Sequence, residues 1–343
     1  MVLLDGGHMG KCVVIGASSF IGVYTVDAFL DAGWEIVGTG RNKSFADYYA
    51  GKGVRYVPYD LDDSFAPEVL PKDVDCVVHL AGRLPANSTS NLDSEDDAAA
   101  YLRTNALGIA NLVEWARRNG VQRVITTTSY ADVRNFWSAY KPIREDMPRS
   151  FLFTGDHAAY VISKNAACDI LRYYNEQHGM NNCAFRLPPV YGLGPHASLN
   201  VNGKRATSGI GRFIELARDG RPITVFGKGD AGRDIVYVKD VARAFTKAAD
   251  SKEARGLYNI GSGRMVSLLD QARVIAEVFA GANGVSEVFS DSTRVNGVVP
   301  YVMDISKARH DFGYEPAFAT FRSMMTDWRL EERRGVYGPL FGV

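Results

Sequence analysis

The chain has 343 residues, of which 46% are hydrophobic and 23% charged, and its 39 basic side chains balance 39 acidic ones. This length and composition predict a globular protein with one large domain or two modest ones. A balanced charge gives no general attraction to nucleic acid or anionic lipid, and no stretch of ~20 apolar residues predicts a membrane span. Because the first ten residues also lack the apolar core of a signal peptide, we expect a cytoplasmic protein.

The four cysteines are scattered along the chain, mostly within apolar runs, and no two form a C-x-x-C pair. This usage is typical of reduced, buried thiols, so we predict neither a disulfide framework nor a metal site.

Short apolar runs alternate with helical patterns in the first half of the chain. The helical patterns cover residues 21–32, 96–119 and 158–178. Several apolar runs lack polar residues, which indicates burial on both faces and a parallel sheet between helices. The predicted fold class is therefore α/β, a doubly wound Rossmann sheet over residues 11–187. Its predicted strands are residues 12–15, 35–39, 55–59, 76–80, 123–127 and 182–186.

The predicted elements become shorter after residue 187. Prolines and glycines interrupt regular structure between residues 188 and 195, and a polar stretch follows. We predict a smaller α/β substrate lobe over residues 188–334, with some strand exchange with the first domain. Such a lobe would cover the open edge of the sheet, where the ligands of these folds bind. Its predicted helices are residues 210–218, 238–250, 268–280 and 318–334, and its predicted strands are residues 223–226 and 235–237.

Residues 16–22 (GASSFIG) join the first predicted strand to the first predicted helix. The unpaired N–H groups at the start of such a helix can bind a pyrophosphate, and glycine permits the close backbone approach. The spacing is that of a G-x-x-G-x-x-G dinucleotide motif with Ser19 in place of the middle glycine. The alternative is an ordinary strand-to-helix turn. The cofactor contacts predicted here are Gly16, Ser18, Ser19, Phe20, Ile21 and Gly22.

Tyr160 and Lys164 lie four residues apart in a predicted helix, so they share one face. A phenol has a pKa near ~10, so a base acting near neutral pH needs about 4 kcal/mol of phenolate stabilisation. A neighbouring ammonium and a positive nicotinamide ring can supply it. Ser129 ends a hydroxyl-rich strand (VITTTS) and could hydrogen-bond the substrate oxygen. The alternatives are a surface Tyr/Lys pair and threonines selected by strand propensity.

Together these segments resemble the extended short-chain dehydrogenase/reductase family, in its NAD(P)-dependent nucleotide-sugar epimerase/dehydratase branch. The resemblance spans nearly the whole chain. Besides the glycine segment and the Ser129, Tyr160 and Lys164 triad, it rests on residues 60–61 (DL), 78–82 (VHLAG), Asn105, 186–192 (RLPPVYG), 225–229 (VFGKG), 233–240 (RDIVYVKD), 258–263 (YNIGSG) and 304–308 (DISKA).

The resemblance implies an enzyme in which Tyr160 is the acid/base and a nucleotide sugar is the substrate. It also implies a homodimer formed through the helices at 96–119 and 158–178. Further cofactor contacts are implied at Asp60, Leu61, Leu80, Ala81, Gly82, Asn105, Tyr160, Lys164 and Pro188. Substrate contacts are implied at Arg83, Ser129, Pro189, Phe226, Arg233 and Arg294, with the two later arginines holding the diphosphate.

The end of the second predicted strand bears on the choice of cofactor. In NAD-binding members an acidic residue at this place holds the ribose hydroxyls. Here Gly40 takes that place and is followed by Arg41, Asn42, Lys43 and Ser44, of which Arg41, Asn42 and Ser44 are predicted cofactor contacts. A glycine leaves room for a 2′-phosphate that Arg41 can neutralise, so we predict NADP rather than NAD. The alternative is that Arg41 stacks on adenine while NAD binds without an acidic clamp.

The residues after Ser129 bear on the reaction. Dehydratases of the family carry Asp-Glu directly after the catalytic Ser/Thr, whereas Tyr130 and Ala131 follow here and Asp132 comes one place late. C4 epimerisation and reduction of a 4-keto sugar both stay open, and the Gly40/Arg41 pattern favours reduction. Dehydration, reduction of a carbonyl without a nucleotide, and a non-catalytic NADP-sensing protein are the alternatives. Pro189 stands where an Asn often contacts the substrate phosphate, so the acceptor pocket differs from that of relatives.

Overall fold

The computed structural model describes residues 10–60, 69–85, 97–155, 157–201 and 204–343. The strands of the described chain are β1 (Lys11–Ile15), β2 (Glu35–Gly40), β3 (Arg55–Pro58), β4 (Cys76–His79), β5 (Arg123–Ser129), β6 (Cys183–Leu187), β7 (Val190–Tyr191), β8 (Ser198–Val201), β9 (Lys204–Thr207), β10 (Ile223–Phe226), β11 (Gly232–Asp234), β12 (Val236–Tyr237), β13 (Gly256–Asn259), β14 (Met265–Ser267) and β15 (Val288–Asp291). The helices are α1 (Phe20–Asp31), α2 (Phe45–Ala50), α3 (Ala98–Tyr101), α4 (Gly108–Arg118), α5 (Ala158–His178), α6 (Gly209–Asp219), α7 (Val238–Asp250), α8 (Leu268–Val278), α9 (Ser306–Phe312), α10 (Phe321–Arg334) and α11 (Tyr337–Phe341).

Seven strands form one parallel sheet with the order β13-β6-β5-β4-β1-β2-β3. The order reverses between β1 and β4, which makes this the switch point where ligands of doubly wound sheets bind. The predicted doubly wound Rossmann fold is thus confirmed. Strand β13 comes from the second half of the chain and pairs with β6.

Burial on both faces explains why these strands are so apolar. Cys12 and Val14 of β1 belong to one core cluster, which includes buried residues of α1 and α7. Val13 and Ile15 belong to a second cluster with residues of α4 and α5. Because successive strand residues point to opposite faces, β1 must be apolar throughout to fill both cores.

Short two-stranded sheets and helices make up the second lobe. β10 pairs with β15 in parallel, whereas β11 pairs with β14 and β8 with β9 in antiparallel fashion. β12 pairs with β7. Helix α8 packs against α6 and α10, and β11 and the end of β10 face the carboxyl edge of the main sheet across a cavity. The domain boundary at residues 187/188 stays a prediction.

Two element boundaries differ from the sequence-based expectation for physical reasons. The predicted helix 96–119 is α3, a π-helical segment (Leu102–Leu107) and α4 in the described chain. Single π-turns widen a helix and occur often at functional sites. Helix α10 begins later than predicted because Thr320 and Ser323 form a capping box at its start.

All four cysteines are free thiols, and Cys12, Cys76 and Cys183 are buried. Within the described ranges, no group of three or more His, Cys, Asp or Glu side chains could hold a metal ion. The same ranges contain no helix with both the length and the apolarity needed to cross a membrane.

Candidate active site

A cavity of about 1830 Å³ opens at the carboxyl edge of the main sheet, between the sheet and the second lobe. Single small-molecule sites measure roughly 300–1,000 Å³, so this cavity has room for more than one ligand. The ends of β1, β4, β5 and β6 form one wall, and residues of β10, β11 and α8 form the other. The position is the one that the topology of the sheet dictates.

The turn after β1 fits a dinucleotide. Gly16 has φ +88°, and a Cβ there would lie 2.6 Å from the Ala81 nitrogen, so only glycine permits this packing of β1 against the end of β4. Ser19 caps α1, its Oγ accepting a hydrogen bond from the Gly22 N–H at 3.1 Å. Thr39 Oγ1 is buried beside the turn and has no hydrogen-bond partner among the described residues. A bound ribose or phosphate oxygen would satisfy this hydroxyl.

A side chain at Gly40, at the end of β2, would require two neighbouring hydroxyl groups to move. A Cβ at Gly40 would lie 2.6 Å from Tyr56 Oη and would collide with Ser18 Oγ. The Arg41 side chain is 72% exposed and lies 4.0 Å from the Asp60 carboxylate. The side chain of an arginine this exposed can turn towards a phosphate at modest energetic cost.

Ser129, Tyr160 and Lys164 reach the same cavity from two elements. Ser129 is the last residue of β5, and its Oγ accepts a hydrogen bond from the Ala131 N–H at 3.2 Å. Its hydroxyl proton can therefore be donated to a substrate oxygen. Tyr160 and Lys164 lie one turn apart on α5, and a methyl group at Gly82 would be 3.5 Å from Lys164 Nζ.

Burial sets the protonation of this pair. It raises the pKa of Tyr160 above the ordinary phenol value, and it lowers the pKa of Lys164 to about 8. Desolvation disfavours the charged form in both cases, phenolate in one and ammonium in the other. At neutral pH the phenol of Tyr160 is therefore protonated, which is the form that can donate a proton to a substrate.

Asn105 connects the loop after β4 to helix α5 by hydrogen bonds. It is 1% exposed and lies in the π-helical segment. Its Oδ1 accepts from the Arg83 N–H at 2.8 Å, and its Nδ2 donates to the Arg83 carbonyl and to Ser163 Oγ. Since Ser163 precedes Lys164, this side chain fixes the loop after β4 to the part of α5 that carries Tyr160 and Lys164. Asn105 therefore positions the loop after β4, and its predicted contact with the cofactor stays a prediction.

The structure brings most of the predicted contacts together on the cavity wall. From the predicted cofactor set these are Gly16, Ser18, Ser19, Phe20, Ile21, Arg41, Asn42, Asp60, Leu80, Ala81, Gly82, Tyr160, Lys164 and Pro188. From the predicted substrate set they are Arg83, Ser129, Pro189, Phe226 and Arg233.

Four predicted contacts lie off this wall in the described part of the chain, and each has a local reason. Gly22 is buried, where a Cβ would collide with the Gly16 carbonyl oxygen. Ser44 donates its hydroxyl to Asn42 Oδ1 at 2.7 Å, and Asn105 is buried as described above. Arg294 stacks its guanidinium 3.7 Å from the centre of the Phe226 ring, so it supports a wall residue. Leu61 lies outside the described residues.

Arg233 is the basic residue of the second lobe on this wall. Its Nε is buried without a hydrogen-bond partner in the described chain, and its guanidinium carbon lies 5.9 Å from the centre of the Trp137 ring. A planar guanidinium with an unused donor is well suited to a diphosphate.

Sequence reasoning missed an aromatic platform beside the triad. Tyr130 and Trp137 stack at 5.0 Å, and Tyr301 lies 4.7 Å from Trp137. Arg134 lies 5.5 Å from the same indole, and it lines the cavity with Tyr130 and Trp137. The signal in the sequence is the segment after Ser129, where Tyr130 and Ala131 stand in place of the Asp-Glu of the family's dehydratases.

The fold and the glycine turn define a dinucleotide-binding protein of the Rossmann type. Residues 12–261 match the NAD dependent epimerase/dehydratase family, so the chain belongs to that family and is an enzyme. The chain is 28% identical to a UDP-glucose 4-epimerase of Mycolicibacterium smegmatis over 326 residues, which cover 90% of this chain and 94% of the relative.

Two further comparisons extend this result. The chain is 27% identical to a dTDP-4-dehydro-6-deoxy-D-allose reductase of a Streptomyces species over 338 residues, or 94% of this chain and 98% of the relative. The crystal structure of UDP-glucose 4-epimerase with UDP-glucose from Thermotoga maritima has the same fold, with a TM-score of 0.73 and 21% identity. That similarity covers 95% of this chain and 99% of the other.

Proposed function

We propose that the protein transfers hydride between NADP(H) and carbon 4 of a nucleotide sugar, with Tyr160 as the acid/base. The observation that carries the proposal is the placement of Ser129, Tyr160 and Lys164 on the cavity that the glycine turn enters, with Arg233 on the opposite wall. The relatives named above are an epimerase and a reductase of nucleotide sugars, and both names describe chemistry at such a carbon.

In this proposal each residue of the site has a separate role. When bound, the cofactor supplies or accepts hydride, and the protein aligns the sugar and moves a proton. Ser129 donates a hydrogen bond to the sugar oxygen, and Tyr160 gives that oxygen its proton during reduction or removes it during oxidation. Lys164 favours the phenolate in the oxidative direction. Arg233 holds the diphosphate.

The position of Asp132 disfavours dehydration. Its carboxylate accepts from Arg186 Nη2 at 2.8 Å, and the two side chains are only 4% and 1% exposed. An ion pair buried in this way holds the segment after β5, and Asp132 does not line the cavity, so its carboxylate is not placed to remove water from the sugar. Epimerisation and reduction need only the triad, so both fit the site.

The test is incubation of the protein with UDP- and dTDP-linked sugars, in their 4-hydroxy and 4-keto forms, with each cofactor. Net loss of NADPH absorbance with a 4-keto sugar indicates reduction, whereas a C4-inverted product without net loss indicates epimerisation. Calorimetry with UDP and dTDP should show binding of at least one nucleotide diphosphate, weakened by Arg233→Ala. A protein that binds neither would contradict a nucleotide-sugar substrate.

The Gly40/Arg41 pair supports NADP over NAD. We expect Arg41→Asp to change the preference from NADPH to NADH, because a carboxylate at this place repels the 2′-phosphate and can accept hydrogen bonds from ribose hydroxyls. The measurement is the Kd of NADPH and NADH by nucleotide fluorescence. Arg55→Asp, an exposed site on β3 off the cavity wall, is the control with the same charge change. An unchanged preference in Arg41→Asp would exclude this role.

We also propose a homodimer formed through the π-helical segment and α5. Large apolar side chains are exposed there, with Leu107 at 54%, Leu102 at 43% and Ile162 at 39%. Light scattering after gel filtration should give twice the chain mass, and Leu107→Glu should give the monomer. Leu330→Glu, on α10 with 43% exposure, is the matched control. A monomeric wild-type protein would contradict the proposal.

A further inference from the structure

The short helix α11 (Tyr337–Phe341) packs against the cofactor-binding half of the molecule, although it follows the second lobe in the chain. Tyr337 Oη donates to the Asp27 carboxylate of α1 at 2.7 Å. The Tyr337 ring lies 4.2 Å from the ring of Tyr24, also on α1. Tyr337 is 9% exposed and Tyr24 is 2% exposed, so this is a packed contact rather than a surface one.

The far end of α11 reaches the cavity itself. Phe341 lines the cavity and meets Phe20 edge-on, with ring centres 6.3 Å apart and planes at 76°. Phe20 is the first residue of α1, directly after the glycine turn. The Phe341 ring also lies 6.4 Å from Phe45, the first residue of α2, which follows the segment holding Arg41 and Asn42.

Phe20 joins this contact to the second lobe as well. A Cβ at Gly194 would collide with the Phe20 ring, and a Cβ at Gly192 would lie 3.3 Å from its Cζ. Tyr24 Oη donates to the Leu193 carbonyl at 2.9 Å. The start of α1 is therefore fixed between the 192–194 loop on one side and Phe341 on the other.

We infer that α11 is part of the dinucleotide site, with Phe341 as a positioning residue for the pyrophosphate turn and for the ribose-phosphate segment. Aromatic edge-to-face contacts fix ring orientation, and a rigid site loses less entropy when a ligand binds. The inference depends on dinucleotide binding, which is a property of the family, and is independent of the sugar reaction proposed above.

The test is the affinity of Phe341→Ala for NADPH and NADH, measured by nucleotide fluorescence, with dissociation rates from stopped flow. We expect the Kd of the preferred cofactor to rise about tenfold or more, mainly through faster dissociation, with the Kd of UDP or dTDP within about twofold of wild type. Tyr337→Phe, which removes only the hydrogen bond to Asp27, should have a smaller effect of the same sign.

Leu330→Ala is the matched control, because it shortens an exposed apolar side chain on the neighbouring helix α10. Cofactor affinity within twofold of wild type in Phe341→Ala would overturn the inference, as would equal losses of cofactor and nucleotide-diphosphate affinity. An effect on NADH in place of NADPH would support the role of α11 and contradict the cofactor preference. Loss of sugar turnover with unchanged cofactor binding would also count against α11.

Discussion

Tyr160→Phe should reduce turnover about 10²–10⁴-fold while leaving cofactor affinity within about twofold of wild type, since general acid–base groups contribute rate factors of this order. The variant keeps the ring that lies 6.4 Å from Tyr101 and removes only the hydroxyl. Steady-state kinetics with the substrate that the assay under Proposed function finds, together with the NADPH Kd, give both quantities. The loss should appear in kcat, because the Tyr160 hydroxyl transfers its proton in the chemical step and not in substrate binding.

Tyr173→Phe is the matched control, a 55% exposed tyrosine on the same helix α5. It should behave as wild type. Retention of more than about 5% of the wild-type rate by Tyr160→Phe would show that the phenol is not the proton donor and would contradict the relay.

Arg186→Met should destabilise the fold by roughly 3–5 kcal/mol, because it leaves the buried Asp132 carboxylate without its cation. The Arg186 side chain is 1% exposed and also donates to the Arg144 carbonyl and to Asn259 Oδ1. It thus links β6, the segment after β5 and β13. Urea unfolding followed by circular dichroism gives the free energy of unfolding directly.

The exposed pair Arg172–Glu176 provides the comparison, with side chains 76% and 63% exposed. Arg172→Met should cost about 0.5 kcal/mol or less. The double variant Asp132→Leu/Arg186→Met should recover part of the loss, since two apolar groups leave no unpaired charge. A loss below about 1 kcal/mol in Arg186→Met would mean that Asp132 is not held by this pair and is free for chemistry.

The structural features that depend on local sequence patterns were predictable from the sequence. The apolar runs that became β1 and β4 to β6 must fill cores on both faces, so composition alone marks them. The turn in the glycine segment 16–22 requires Gly16. Tyr160 and Lys164 share one helix face because they are four residues apart. These signals extend over only a few residues, which is why they can be read without coordinates.

The features that could not be predicted from the sequence depend on contacts between segments far apart in the chain. Tyr337 and Asp27 are 310 positions apart in the chain, so no local pattern indicates that α11 reaches α1. The stacking of Arg294 on Phe226 also joins segments that are far apart in the chain, and its contact with the substrate stays a prediction. Asn105, in the π-helical segment, likewise bonds to Arg83 and Ser163, which are 22 and 58 positions away in the chain.

Transfer of deuterium from nicotinamide C4 to the sugar tests the central claim most directly. The protein is incubated with 4-deuterated NADPH, in each stereochemical form, and a 4-keto nucleotide sugar, and the product is analysed by mass spectrometry and NMR. We predict one deuterium atom on sugar carbon 4 from one of the two forms, and about 1% of that product or less over the same time when Tyr160→Phe replaces the wild type. A 4-keto sugar reduced at carbon 4 without deuterium from either form would contradict hydride transfer at this site.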